Sequence, residues 1–158
     1  MYILSEKEVE KACNWIKPAV ETILEDNRAI WGPRYVYAMI EGPGLKFPIK
    51  WLFGKYEPWR EEWGEEKYFE FTAKMKLFQA LRNEEPTSIT VNSHPWAIDP
   101  KEFFYPGGVA VKGLGVGVSG AKGITDERIA WMIFHALALA CQLEKERLEE
   151  KGIKQLPL

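Results

Sequence analysis

Residues Gly113–Cys141 read GLGVGVSGAKGITDERIAWMIFHALALAC, and how their glycines are read decides the fold. The segment GVGVSG, Gly115–Gly120, matches the dinucleotide fingerprint literally, and a helical pattern follows it. That fingerprint holds a pyrophosphate only when its glycines form the turn between a strand and a helix, with an acidic residue ending the next strand. Here the glycines alternate with Leu114, Val116 and Val118, which puts them inside the strand, and no second βα unit follows. The pattern argues against a Rossmann site. Alternating glycines leave one face of a strand bare, so that a helix, a second subunit or a flat ligand can approach the backbone. For Gly115 and Gly117 all three readings stand. Ser119 and Gly120 differ, because they precede a helix N-terminus, where exposed N–H groups can hold a carboxylate or phosphate.

Outward from this stretch, Lys112 and Gly113 make a tight turn between strands Gly108–Val111 and Leu114–Val118, and Thr125 caps a predicted helix from Asp126 to Glu150. Asp126 and Glu127 complement the positive end of its dipole. Toward the N-terminus, the periodicity predicts a helix over Glu65–Arg82 with Phe69, Ala73, Leu77, Ala80 and Leu81 on one face. Between these, Thr87–Val91 reads as a short strand, Asn92–Pro100 as a loop and Lys101–Tyr105 as a single helical turn. Earlier still, Tyr35–Ile40 and Phe47–Phe53 are strands around a Gly42–Gly44 turn, and Gly54–Gly64 is a Trp-rich surface loop. A first amphipathic helix, Glu6–Asn27, opens on a capping box at Ser5 and Glu8, and Pro18 is expected to kink or split it. The order gives hairpins rather than βαβ crossovers, hence an α+β fold with an antiparallel sheet in one domain over residues 1–158.

Composition bounds the function. Twenty-one basic against 23 acidic residues give a net charge of −2, so no electrostatic argument favours nucleic acid or an anionic membrane as a partner. Cys13 and Cys141 lie in apolar helical stretches, which fits a reduced, cytoplasmic setting better than a disulfide framework. The N-terminus has no basic segment leading into an apolar one, and the run Ile129–Cys141 is too short to cross a bilayer, which takes about 20 residues. Glu and Lys abound while Gln, Asn and Ser are sparse, the bias of a thermophile's surface.

The motifs PGGVAV (Pro106–Val111), GVGVSG (Gly115–Gly120) and DERIA (Asp126–Ala130), taken in order, resemble the closing motifs of the GlcG/HbpS-like family, the "haem-degrading" domain also found at the end of some PduO proteins. Tyr37–Gly42 is similar to that family's first strand and turn, and Lys74 matches the lysine of its helix; the resemblance runs from Ser5 to Leu143. The chain departs from the pattern at Glu41, Met75 and Leu77, in its Trp-rich insertion, and in a shorter turn at Val111–Leu114. The resemblance implies a profilin-like or PAS-like domain with a sheet of about five strands, a homo-oligomer, and a small-molecule ligand, with haem among the candidates.

The candidate ligand residues are accordingly Lys74, Gly107, Gly108, Ser119 and Gly120, which together predict an anion-accepting pocket. Haem needs an axial ligand, for which His94 and His135 are the candidates, against the plainer readings of a turn residue and a core or interface histidine. Two histidines at unrelated spacing predict no metal site. Lys74 is also the candidate acid/base of an alternative reading, an enzyme acting on a small carboxylic acid; Lys67, Lys74 and Lys76 as solvated helix charges is the plain one. A third reading is an oligomeric scaffold. Trp51, Trp59, Trp63 and Trp96 fall in or beside loops and suit a pocket or an interface.

Overall fold

A computed structural model describes residues 1–58 and 65–158, residues 65–67 by backbone alone. Its elements are α1 (Glu6–Leu24), β1 (Tyr35–Glu41), β2 (Ile49–Gly54), α2 (Glu65–Asn83), α3 (Thr87–Ser93), a 3₁₀ turn at Pro95–Ala97, β3 (Gly108–Val111), β4 (Leu114–Ser119) and α4 (Gly123–Glu150). The strands form one antiparallel sheet in the order β2-β1-β4-β3. The tight turn of the last hairpin is where expected, with Lys112 and Gly113 both at positive φ, 51° and 82°, the combination that suits the twist of a two-residue hairpin.

The register sorts the sheet into two faces. Val36, Ala38, Ile40, Phe53, Val109, Val116 and Val118 join the larger core, which α1 and α4 close with Val9, Ala12, Val20, Ile129, Ile133 and Leu137. On the other face β1 presents Tyr35, Tyr37 and Met39, while β3 and β4 present glycines: Gly108 stands opposite Gly117, and Ala110 opposite Gly115. Helix α2 lies directly on this bare strip. A Cβ at Gly117 would fall 2.1 Å from the Ala73 carbonyl oxygen, and one at Gly115 would meet Leu77 and Leu81. Of the three readings of these glycines, close helix packing is the one realised.

Several expectations are corrected. The sheet has four strands, because Thr87–Val91 is helical. The β-branched run favours a strand only if it finds a sheet edge; here Glu127 accepts the Ser88 N–H at 2.8 Å and its hydroxyl at 2.5 Å, which seats a helix N-terminus instead. Lys101–Tyr105 is not helical, and Glu102 is drawn to Arg82 and to the N–H of Asp99. Helix α4 starts at Gly123, so Thr125 lies within it rather than capping it. Helix α1 ends at Leu24 and runs through Pro18 without splitting, its capping box formed as expected. The predicted loop Gly54–Gly64 opens with Gly54 in β2, and its last six residues, with Trp59 and Trp63, lie outside the described residues.

Candidate functional site

Successive residues on a helix are turned by 100°, so the stripe of α2 that meets the sheet comprises Phe69, Ala73, Lys76, Leu77 and Ala80. Lys76 is therefore on the buried side. Its side chain is 4% exposed, and its ammonium donates to the Val118 carbonyl at 3.1 Å and to Asp126 Oδ2 at 3.0 Å. Asp126, 1% exposed in the first turn of α4, accepts the Ala121 N–H at 2.9 Å on Oδ1 and a further N–H from Gly120. Burial pushes its carboxyl up to about 6, against the opposing pull of the Lys76 ammonium and the backbone donors.

These groups form the floor of a cleft of about 410 Å³ at the end of β4. Thr72, Ser119, Ala121 and Gly123 line it, and four aromatic residues wall it: Tyr68 and Phe69 from α2, Trp31 from the loop after α1, and Tyr105 from the loop before β3. Trp31 and Tyr105 are 70% and 59% exposed, so large apolar rings stand at the mouth over a charged but internally paired floor. The Lys122 ammonium lies 5.5 Å from the Trp31 ring centre and adds a cation beside it. A larger groove, about 560 Å³, runs past Glu21, Glu25 and Arg34, but it is polar, and Arg34 is already paired with Glu25 at 3.0 Å.

The predicted site residues are partly redistributed by this geometry. Lys74 is exposed on the outer side of α2, its ammonium over the Phe78 ring; the lysine against Gly107 and Asp126 is Lys76. Gly107 and Gly108 are close to α2 rather than to open space, and both of their N–H groups go to the Thr87 hydroxyl, at 2.8 and 3.0 Å. Ser119 does line the cleft. The N–H groups that precede α4 do hold a carboxylate, and it is the chain's own Asp126.

His94 is bound to Glu85, at 2.9 Å from Nδ1 to Oε1, and packs beside Trp96; His135 is exposed on α4, its ring stacked on Trp131 at 5.6 Å. Neither lines the cleft. Trp51 packs against the larger core. Among the described residues no group of three His, Cys, Asp or Glu side chains could hold a metal, and no helix is long and apolar enough to cross a membrane.

No family model matches the sequence, and no curated protein does. A solved structure, that of HbpS, is similar over 84% of this chain and 88% of its own, with a TM-score of 0.55 and 21% identity. The fold is thus HbpS-like.

Proposed function

We propose that the chain is a small-molecule-binding domain whose ligand sits in the cleft at the end of β4, as a planar molecule with no negative charge at its buried edge. The observation that carries this reading is the pairing of Lys76 with Asp126 beneath four aromatic walls. The donors that would greet a carboxylate are already satisfied, and a second anion would sit against Asp126 itself. Aromatic rings around a cleft near the small end of the usual ~300–1,000 Å³ range favour a flat organic body. Any acidic substituent would lie at the rim, toward Lys122.

Haem fits this donor set poorly. Its usual axial ligands are His, Cys, Met and Tyr; both histidines are elsewhere, and among the described residues Tyr68 and Tyr105 are the only ones of the four types that line the cleft. The acid/base role first given to Lys74 would pass to Lys76, whose ammonium is instead engaged by Asp126, so binding is favoured over catalysis.

The test is calorimetric titration with lumichrome, a pterin and a purine as uncharged planar probes, beside oxalate and haemin. One planar probe is expected to bind stoichiometrically, and Tyr105→Ala to weaken it about tenfold, the ~1.4 kcal/mol at the upper end of an aromatic contact. Lys74→Met should leave it unchanged. Binding of oxalate or haemin with no planar probe bound, or protein from its native host carrying no small molecule in addition to failure of every probe, would overturn the reading.

A further inference from the structure

Strand β4 carries one side chain that packing does not explain. Gly115 lies against Leu77 and Leu81, and Gly117 against Ala73 and Leu77, so each step of two along β4 moves one turn back along α2. The next step is Ser119, opposite Tyr37 and so on the same face, at the level of Phe69 and Ala73. There the contact opens into the cleft, which Ser119 lines. Ser119 is 3% exposed, and among the described residues its hydroxyl has no hydrogen-bond partner. Burying a hydroxyl without a partner costs stability, and alanine would fill the space without that cost. Thr72, on α2, lines the same cleft and is 4% exposed. Its proton goes to the Tyr68 carbonyl at 2.7 Å, so toward the cleft its hydroxyl can only accept.

We infer that these two hydroxyls read the buried edge of the ligand, and that this edge is a lactam, a ring N–H beside a ring C=O; the inference rests on the reading of the cleft as a site for a planar molecule. Thr72 requires a donor. Ser119 has a proton to give and so requires an acceptor. An edge of two acceptors sets a lone pair against Thr72, and an edge of two donors leaves the Ser119 proton unmatched; each buried mismatch is penalised. The fixed charges select the same pattern. Asp126 favours the partly positive N–H and Lys76 the partly negative C=O, and both line the cleft. A neutral lactam carries this dipole without the net charge that the paired floor rejects. A carboxylate supplies no donor, and a flat hydrocarbon supplies neither group. The aromatic walls are indifferent to the edge, because any flat ring offers them the same faces, so they set affinity while the two hydroxyls set identity. The chemical class is therefore an uncharged fused heterocycle with a lactam edge, of which alloxazines and pterins are examples.

Size-matched pairs test this: lumichrome against phenazine for three fused rings, and pterin against quinoxaline for two, each titrated calorimetrically into the full chain. In at least one pair the lactam is expected to bind about tenfold or more tighter than its partner, which has neither N–H nor C=O. Ser119→Ala should reduce that ratio about tenfold while leaving the partner's own affinity unchanged. Thr72→Val should do the same, and Thr72→Ser, which keeps the hydroxyl, should not. Circular dichroism of each variant is expected to match the wild type. Binding of neither lactam, or a ratio untouched by both Ser119→Ala and Thr72→Val, would overturn the lactam edge. Phenazine or quinoxaline bound as tightly as the lactam in both pairs would overturn it too, and would leave the planar-ligand reading standing.

Discussion

The two faces of the sheet are built on opposite principles. Beneath α1 and α4, valines and isoleucines fill the space between layers, the ordinary way that helix and sheet are kept apart and packed. Beneath α2 the strands carry glycine, and the helix backbone comes down onto the strand backbone. The consequence reaches past packing. A helix held that close can send Lys76 over the end of β4 to the Val118 carbonyl and to Asp126 of α4. Where the glycines stop, at Ser119, the contact opens into the aromatic cleft. The aliphatic face supplies stability, and the glycine face makes the site.

The sharpest way to break this contrast is to change one methyl group on each face. Gly117→Ala puts a Cβ against the Ala73 carbonyl oxygen and the Leu77 amide, backbone that cannot step aside. It should cost more than about 4 kcal/mol, the range of exceptional single substitutions. Ile133→Val on the aliphatic face should cost about 0.5–1.5 kcal/mol. Urea titration of both variants checks the ordering, and equal costs would remove the distinction between the faces.

A second substitution sharpens it within the site. Lys76→Met removes the cation that pulls the buried Asp126 carboxyl down, so the carboxyl takes up a proton at neutral pH and the change should cost about 3 kcal/mol, the low end for a broken buried pair, whereas Lys76→Met with Asp126→Leu should recover part of this. Lys145→Met, which breaks the exposed pair with Glu149, should cost about 0.5 kcal/mol or less. Thermal melts of the three variants measure the series.

Much of the fold was legible because hydrophobic period and turn chemistry agree locally: the Ser5–Glu8 cap, the Lys112–Gly113 turn and the glycine strand are where the pattern puts them. Thr87–Val91 was misread because its β-branched residues are overruled from a distance, by Glu127. In the site, the motif drew attention to Lys74, yet the signal for Lys76 was present. It falls on the same α2 stripe as Ala73, Leu77 and Ala80, and a lysine on the sheet-facing stripe must find a carboxylate. That Asp126 would supply it, and also take the N–H groups of Gly120 and Ala121, depends on how the start of α4 sits against α2, which no local pattern encodes.

The central claim is that the carboxylate seat at the cleft floor is filled from within. Asp126→Gly removes the occupant and leaves the Lys76 ammonium and the two N–H donors in place. Formate, added to that variant and to the wild-type chain with chloride as the ionic-strength control, tests the claim through melting temperature. The account predicts a saturable rise of a few degrees for the variant, the ~1 kcal/mol scale of a weakly held ligand in a domain of this size, and no response beyond chloride for the wild type. A variant that treats formate like chloride, or a wild-type chain stabilised by formate as strongly as the variant, would contradict it.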